Sequence, residues 1–137
     1  MVNTEDLKTV AFVMPVLNEE RHLAAAVKSI FEQKNLENNK IEVVLALGPS
    51  TDSTNTIAES LKSQFPVKTV QNPTGKTANG LNLAIAATQA DIIVRVDAHS
   101  ELSPDYTDLA RQILNETGAA NVGGVMRAVG FTPFQQA

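Results

Sequence analysis

The sequence predicts an α/β fold, a parallel-type sheet with helices on both faces. Three observations carry that expectation. Short, continuous apolar runs recur along the chain, each followed by a segment whose apolar residues repeat at helical spacing. The runs do not alternate with polar residues, as befits strands buried on both faces. Between them stand Pro, Gly, Asn and Asp, the residues of turns and caps.

Residues 10–14 (VAFVM), closed by Pro15, form the first strand. From Asn18 the period changes. Leu23, Ala26, Val27, Ile30 and Phe31 mark one helix face, with Asn18 suited to the N-cap and Glu19 and Glu20 beside the helix's positive end. After a polar stretch over 34–40, residues 41–47 (IEVVLAL) make the second strand. Gly48-Pro49-Ser50 turns the chain into a helix over about 52–64, stopped by Pro66. Residues 67–70 are a brief third strand, and Asn72-Pro73-Thr74-Gly75 is loop chemistry. A third helix covers 76–88, and 91–96 (DIIVRV) is the fourth and most apolar strand. Ser103-Pro104-Asp105 supplies an N-cap, a proline at the first helical position and an acid; the helix runs to about 115, with Gly118 at its exit. Residues 121–125 read as a fifth strand.

The chain has 137 residues, 43% of them hydrophobic, and reads as a single domain over 1–137. Without cysteine it has no disulfide, thiolate zinc site or cysteine nucleophile. Eleven Lys and Arg against fifteen Asp and Glu give a net charge of −4, which argues against broad nucleic-acid binding. No apolar run approaches the ~20 residues of a membrane span. Nor do the first ten residues show a basic-then-apolar signal. The expected location is the cytoplasm, with membrane association left to any longer parent protein.

In such a sheet, ligands bind beyond the carboxyl ends of the strands, where strand order reverses. There the chain offers Asp97 and His99, two apart and therefore pointing the same way. They suit a shared divalent cation, Mn²⁺ or Mg²⁺, completed by phosphate and water. A turn-capping aspartate and an exposed loop histidine fit the same letters. Glu19 suits a ribose or base edge, or merely the helix dipole. Lys76 approaches a phosphate as a point charge, or is a solvated surface lysine. Gly75-Lys76-Thr77 is no P-loop, because position 70 is Val70 rather than glycine. The loop PVLNEE carries no dinucleotide fingerprint, and no serine stands in a G-x-S-x-G elbow. His22, within the first helix, reads as a surface or satisfied histidine.

Four strings in order, VAFVMPVLNEE, IEVVLALGPSTDST, NPTGKTANGLNLAI and VRVDAHS, together resemble a family 2 glycosyltransferase. More narrowly they resemble the succinoglycan-biosynthesis type, with D-A-H in place of D-x-D. The resemblance covers residues 10–137. It implies the nucleotide-binding half of a GT-A fold and inverting transfer from a nucleoside diphosphate sugar, in polysaccharide or glycoconjugate synthesis. It places Pro15, Asn18 and Glu19 along the nucleoside, and Lys76 and Asn82 near the nucleotide. Asp97 and His99 fall around the diphosphate and its Mn²⁺ or Mg²⁺.

Two departures stand out. Most members carry acids before the G-S-T-D segment to hold the base, where this chain has Leu47 and Gly48. Asp52 fits the later aspartate, with helix capping as its simplest task. The acceptor-binding half and catalytic base of the family have no counterpart here, so the chain reads as the donor-binding part of a longer enzyme, inactive alone. The rival reading is a non-catalytic nucleotide-binding or interaction module. A sugar nucleotidyltransferase would need a Gly-rich, basic loop where PVLNEE stands. Val122, Val125, Val129, Phe131 and Phe134 form an apolar C-terminal segment, which suits a two-fold homodimer or, as the plainer reading, a monomer whose last dozen residues are disordered.

Overall fold

The computed structural model describes residues 8–124. Strands β1 (Val10–Val16), β2 (Ile41–Leu47), β3 (Val67–Gln71) and β4 (Ile92–Arg95) form one parallel sheet in the order β3-β2-β1-β4. Helices α1 (Leu23–Phe31), α2 (Thr54–Leu61) and α3 (Thr77–Ala86) make the crossovers, and α4 (Tyr106–Thr117) follows β4. Cα partners run from Val10 with Ile41 to Val16 with Leu47, so β1 and β2 are paired along their whole length.

The alternation of side chains along β1 and β2 divides the core. Val10, Phe12, Met14 and Val16 join Val43, Leu45 and Leu47 on one face, under Leu23, Val27 and Ile30 of α1 and Ala58 and Leu61 of α2. Val13, Val44 and Ala46 point the other way and meet Ala84 of α3. Each large side chain so buried contributes about 1.5–3 kcal/mol. Small residues let α3 lie close to the sheet. A Cβ at Gly80 would fall 2.9 Å from Asn72 Nδ2 and 3.1 Å from Pro15 Cβ.

Three expectations need correction. Residues 121–124 form no strand, and Gly124 runs against the ring of Tyr106. Two consecutive glycines, at 123 and 124, carry no side chains to pack and lose the most entropy in an extended strand. Val125, Val129, Phe131 and Phe134, on which the expected dimer rests, lie outside the described residues. Second, α1 begins at Leu23, not after Asn18. Asn18 has φ 53, in the left-handed region, and turns the chain aside before the helix starts. Third, β4 is half-covered. Ile93 and Arg95 share the α3-side face with Ala11 and Val13, but α3 lies over β1, β2 and β3, leaving Ile93 and Arg95 exposed. The other boundaries shift by three residues or fewer, and Gly118 ends α4 with φ 65.

Candidate functional site

The chain steps outward from β1 to β2 to β3, then returns to the far side of β1 for β4. Strand order therefore reverses between β1 and β4, where a crevice must open at the carboxyl ends. A cleft of about 210 Å³ lies there. From the end of β1 it takes Pro15, Leu17 and Glu19; from the end of β4, Arg95, Asp97 and His99. Gly75 and Thr77, at the start of α3, close its third side.

The β1–α1 and β2–α2 loops are stitched together. The Thr51 N–H donates to Asn18 Oδ1 at 2.8 Å, and the Asn18 N–H donates to Ser50 Oγ at 3.0 Å. The Ser53 N–H donates to Glu20 Oε2 at 3.0 Å. Thr54 is completely buried; its Oγ1 accepts the Glu19 N–H at 2.8 Å, and its hydroxyl donates to Asp52 Oδ1. The Thr54 N–H also reaches that oxygen, at 2.9 Å, so Asp52 satisfies one N–H of α2 from the position before its N-cap, Ser53. The Thr54 hydroxyl, helped by the N–H groups of Thr54 and Glu20, holds the Asp52 carboxyl below its usual pKa.

The β3–α3 loop is fixed by Asn72, buried at 2% exposure. Its Nδ2 donates to Lys76 O at 3.0 Å and its Oδ1 accepts the Thr74 hydroxyl at 3.1 Å. Gly75, at φ 66, has the left-handed backbone that favours glycine, and a Cβ there would fall 3.2 Å from Pro49 Cδ. It also lies against position 48, where a Cβ would come 3.2 Å from Gly75 Cα and 3.0 Å from Leu17 Cδ1. The position at which the sequence lacks an acid is thus a buried crossing of three loops.

Within the cleft, the structure joins two residues that the sequence left apart. His99 Nδ1 and Glu19 Oε1 are 3.0 Å apart, with the Glu19 side chain 20% exposed and that of His99 61%. Arg95 Nε donates to Asp97 Oδ1 at 3.2 Å. Of the predicted residues, Pro15, Glu19, Asp97 and His99 line the cleft. Asn18 stands behind it as a loop staple; Lys76 is the exposed N-cap of α3, and Asn82 is exposed further along that helix. Arg95 was missed, although strand alternation places it on the side of Asp97, two residues on. Among the described residues no three His, Cys, Asp or Glu gather as a ready cage for a metal.

The model of the family described as "Glycosyl transferase family 2" matches residues 11–136. The succinoglycan biosynthesis protein ExoA of Rhizobium meliloti (strain 1021) is 35% identical over 128 residues, 91% of this chain. The chain spans only 38% of that relative's length. Among solved structures, residues 1–349 of Staphylococcus aureus TarS in complex with UDP match with a TM-score of 0.72 and 20% identity, over 87% of this chain and 38% of that one. The mannosyltransferase PcManGT from Pyrobaculum calidifontis, in complex with GDP-Man and Mn²⁺, matches with a TM-score of 0.70 and 26% identity, over 78% of this chain and 32% of its own. Such likenesses place the sheet among nucleotide-binding glycosyltransferase folds.

Proposed function

The chain belongs to glycosyl transferase family 2, and on that premise we propose that it is the donor-binding part of an inverting glycosyltransferase. The donor is a nucleoside diphosphate sugar, and the product a polysaccharide or glycoconjugate, as the name of the succinoglycan-biosynthesis relative suggests. The observation that carries this reading is the cleft at the switch point, into which Pro15, Glu19, Asp97 and His99 all converge. Pro15, Asn18 and Glu19 lie along the nucleoside; Lys76 and Asn82 serve the nucleotide from α3. No helix among the described residues is long and apolar enough to cross a membrane, and the cytoplasm is the proposed location.

Transfer requires a diphosphate to leave the anomeric carbon while negative charge gathers on its oxygens. A chain of net charge −4 is poorly placed to hold that charge unaided. Asp97 and His99, an oxygen and a nitrogen donor in one cleft, fit a hard cation whose other ligands are phosphate oxygens and water, rather than one caged by protein. When bound, Mn²⁺ or Mg²⁺ neutralises the departing diphosphate as a Lewis acid. Arg95 holds Asp97 in place and adds a positive charge to the same wall. Thr77, the first residue of α3, lines the same cleft, so the positive end of that helix lies beside it. No residue here is assigned the acceptor's deprotonation, so for this chain the mechanism is donor binding.

Calorimetric titration of the chain with UDP, GDP and ADP, with and without Mn²⁺, tests the reading. The expected result is binding of one of them that tightens about tenfold or more with the ion, the scale of one charge-assisted contact. Failure to bind any of the three under either condition overturns it.

A further inference from the structure

We propose that Glu19 is a positioning residue for His99, fixing its tautomer so that Nε2 is the atom turned to the diphosphate and its cation. The proposal rests on the donor-binding reading above and goes beyond it in assigning the ring's orientation to a residue eighty positions away.

The two partners are held unequally. The backbone of Glu19 is anchored through the buried Thr54, and its neighbours Asn18 and Glu20 are each bonded to the β2–α2 loop. Its side chain is mostly covered. His99 stands on the tip after β4, largely exposed, and among the described residues its ring makes no other hydrogen bond. Glu19 is therefore the fixed support and His99 the group that it orients.

The chemistry then follows from donors and acceptors. A carboxylate accepts, so the 3.0 Å contact favours the tautomer whose proton is on Nδ1. In a neutral imidazole with hydrogen on Nδ1, Nε2 carries the lone pair. That is the arrangement in which a metal-ligating histidine is commonly held by a carboxylate behind it. Glu19 Oε2 remains to accept from a ribose hydroxyl, so one carboxylate contacts the nucleoside and orients the diphosphate ligand.

Long-range ¹H–¹⁵N NMR of the chain without ligand, at about pH 8.5 where an ordinary imidazole is neutral, reads the tautomer directly. The chain has two histidines, so the His99→Asn spectrum assigns His99 and leaves His22 as an internal control. The expected result is the Nδ1–H form at His99, lost in Glu19→Ala. Affinity for Mn²⁺ in the presence of whichever nucleoside diphosphate the parent binds should fall about 10–100-fold in that variant, as when a histidine's supporting carboxylate is removed. The Nε2–H form in the parent, or a tautomer unchanged by Glu19→Ala, overturns the proposal. A parent that shows the Nδ1–H form yet binds no nucleoside diphosphate overturns the donor reading instead, and with it the purpose assigned to the pair.

Discussion

The backbone N–H of Glu19 donates to Thr54 Oγ1 at 2.8 Å, tying the loop after β1 to the first residue of α2. The same hydroxyl donates to Asp52, so one buried oxygen serves two loops. Thr54→Val keeps the volume but deletes both bonds. It should cost about 0.5–1.5 kcal/mol of stability, the net worth of an ordinary hydrogen bond, since its partners are only part-buried. Urea unfolding of both proteins checks this; equal midpoints would show that the hydroxyl is dispensable.

Position 48 carries a prediction about shape. Restoring an acid there, as Gly48→Asp, would press a Cβ against Leu17 Cδ1, Gly75 Cα and the carbonyl of Val16. Leu17 can swing away, being 41% exposed, but two of the three neighbours are backbone. The variant should lose about 1–3 kcal/mol, as overpacked sites do, and gain no nucleotide affinity. A thermal melt and titrations with UDP, GDP and ADP decide it; a stable variant that binds one of them more tightly contradicts the account of the loop crossing.

His99→Ala separates metal from fold. With a side chain 61% exposed, His99 adds little burial, so the melting temperature should stay within about 2 °C of the parent, as for an ordinary surface substitution. Diphosphate binding with Mn²⁺ should weaken far more than binding of the nucleoside alone. If the variant and parent bind the parent's preferred nucleoside diphosphate equally in the presence of Mn²⁺, His99 has no place in the site.

Acid sensitivity should trace to three carboxylates. Asp52 is depressed chiefly by the Thr54 hydroxyl, and Asp91 by the backbone N–H and hydroxyl of Thr9. For Glu42 burial pushes upward, but hydrogen bonds from Lys68 and Thr88 and the Lys68 charge bring it below its usual value. Depressed carboxylates stabilise the fold fully above the unfolded carboxylate range, and that contribution is lost as pH falls through their lowered values. Asp91→Asn should therefore melt below the parent at neutral pH, with the gap closing below about pH 4. Melts across that range test it: a gap that stays constant down to acid pH would mean that the charge is not what matters.

Much of the architecture is legible because periodicity reports burial, and β1 and β2 are buried on both faces. β4 is equally apolar in its letters yet half-covered, since letters do not tell which strand stands beside the helix above it. Asn18 looks like a cap by type; only its left-handed backbone shows that it turns the chain and grips Thr51 instead. At the site, Asp97 and His99 were readable from their spacing, a local property. Arg95 obeyed the same rule and was overlooked because it sits inside an apolar strand. The Glu19–His99 bond spans eighty positions and depends on β1 and β4 being neighbours, which no local pattern encodes.

The reciprocal bonds between the β1–α1 and β2–α2 loops bear on how such a site can be rebuilt. Asn18 grips Thr51 while Glu20 grips Ser53, so each loop is the other's mould. A chimera that imports one loop from a relative brings half of a matched set and leaves backbone N–H groups at 51 and 53 facing strangers. Grafts at this end should succeed only when residues 17–21 and 48–54 travel together, which makes the pair, rather than either loop, the transferable unit.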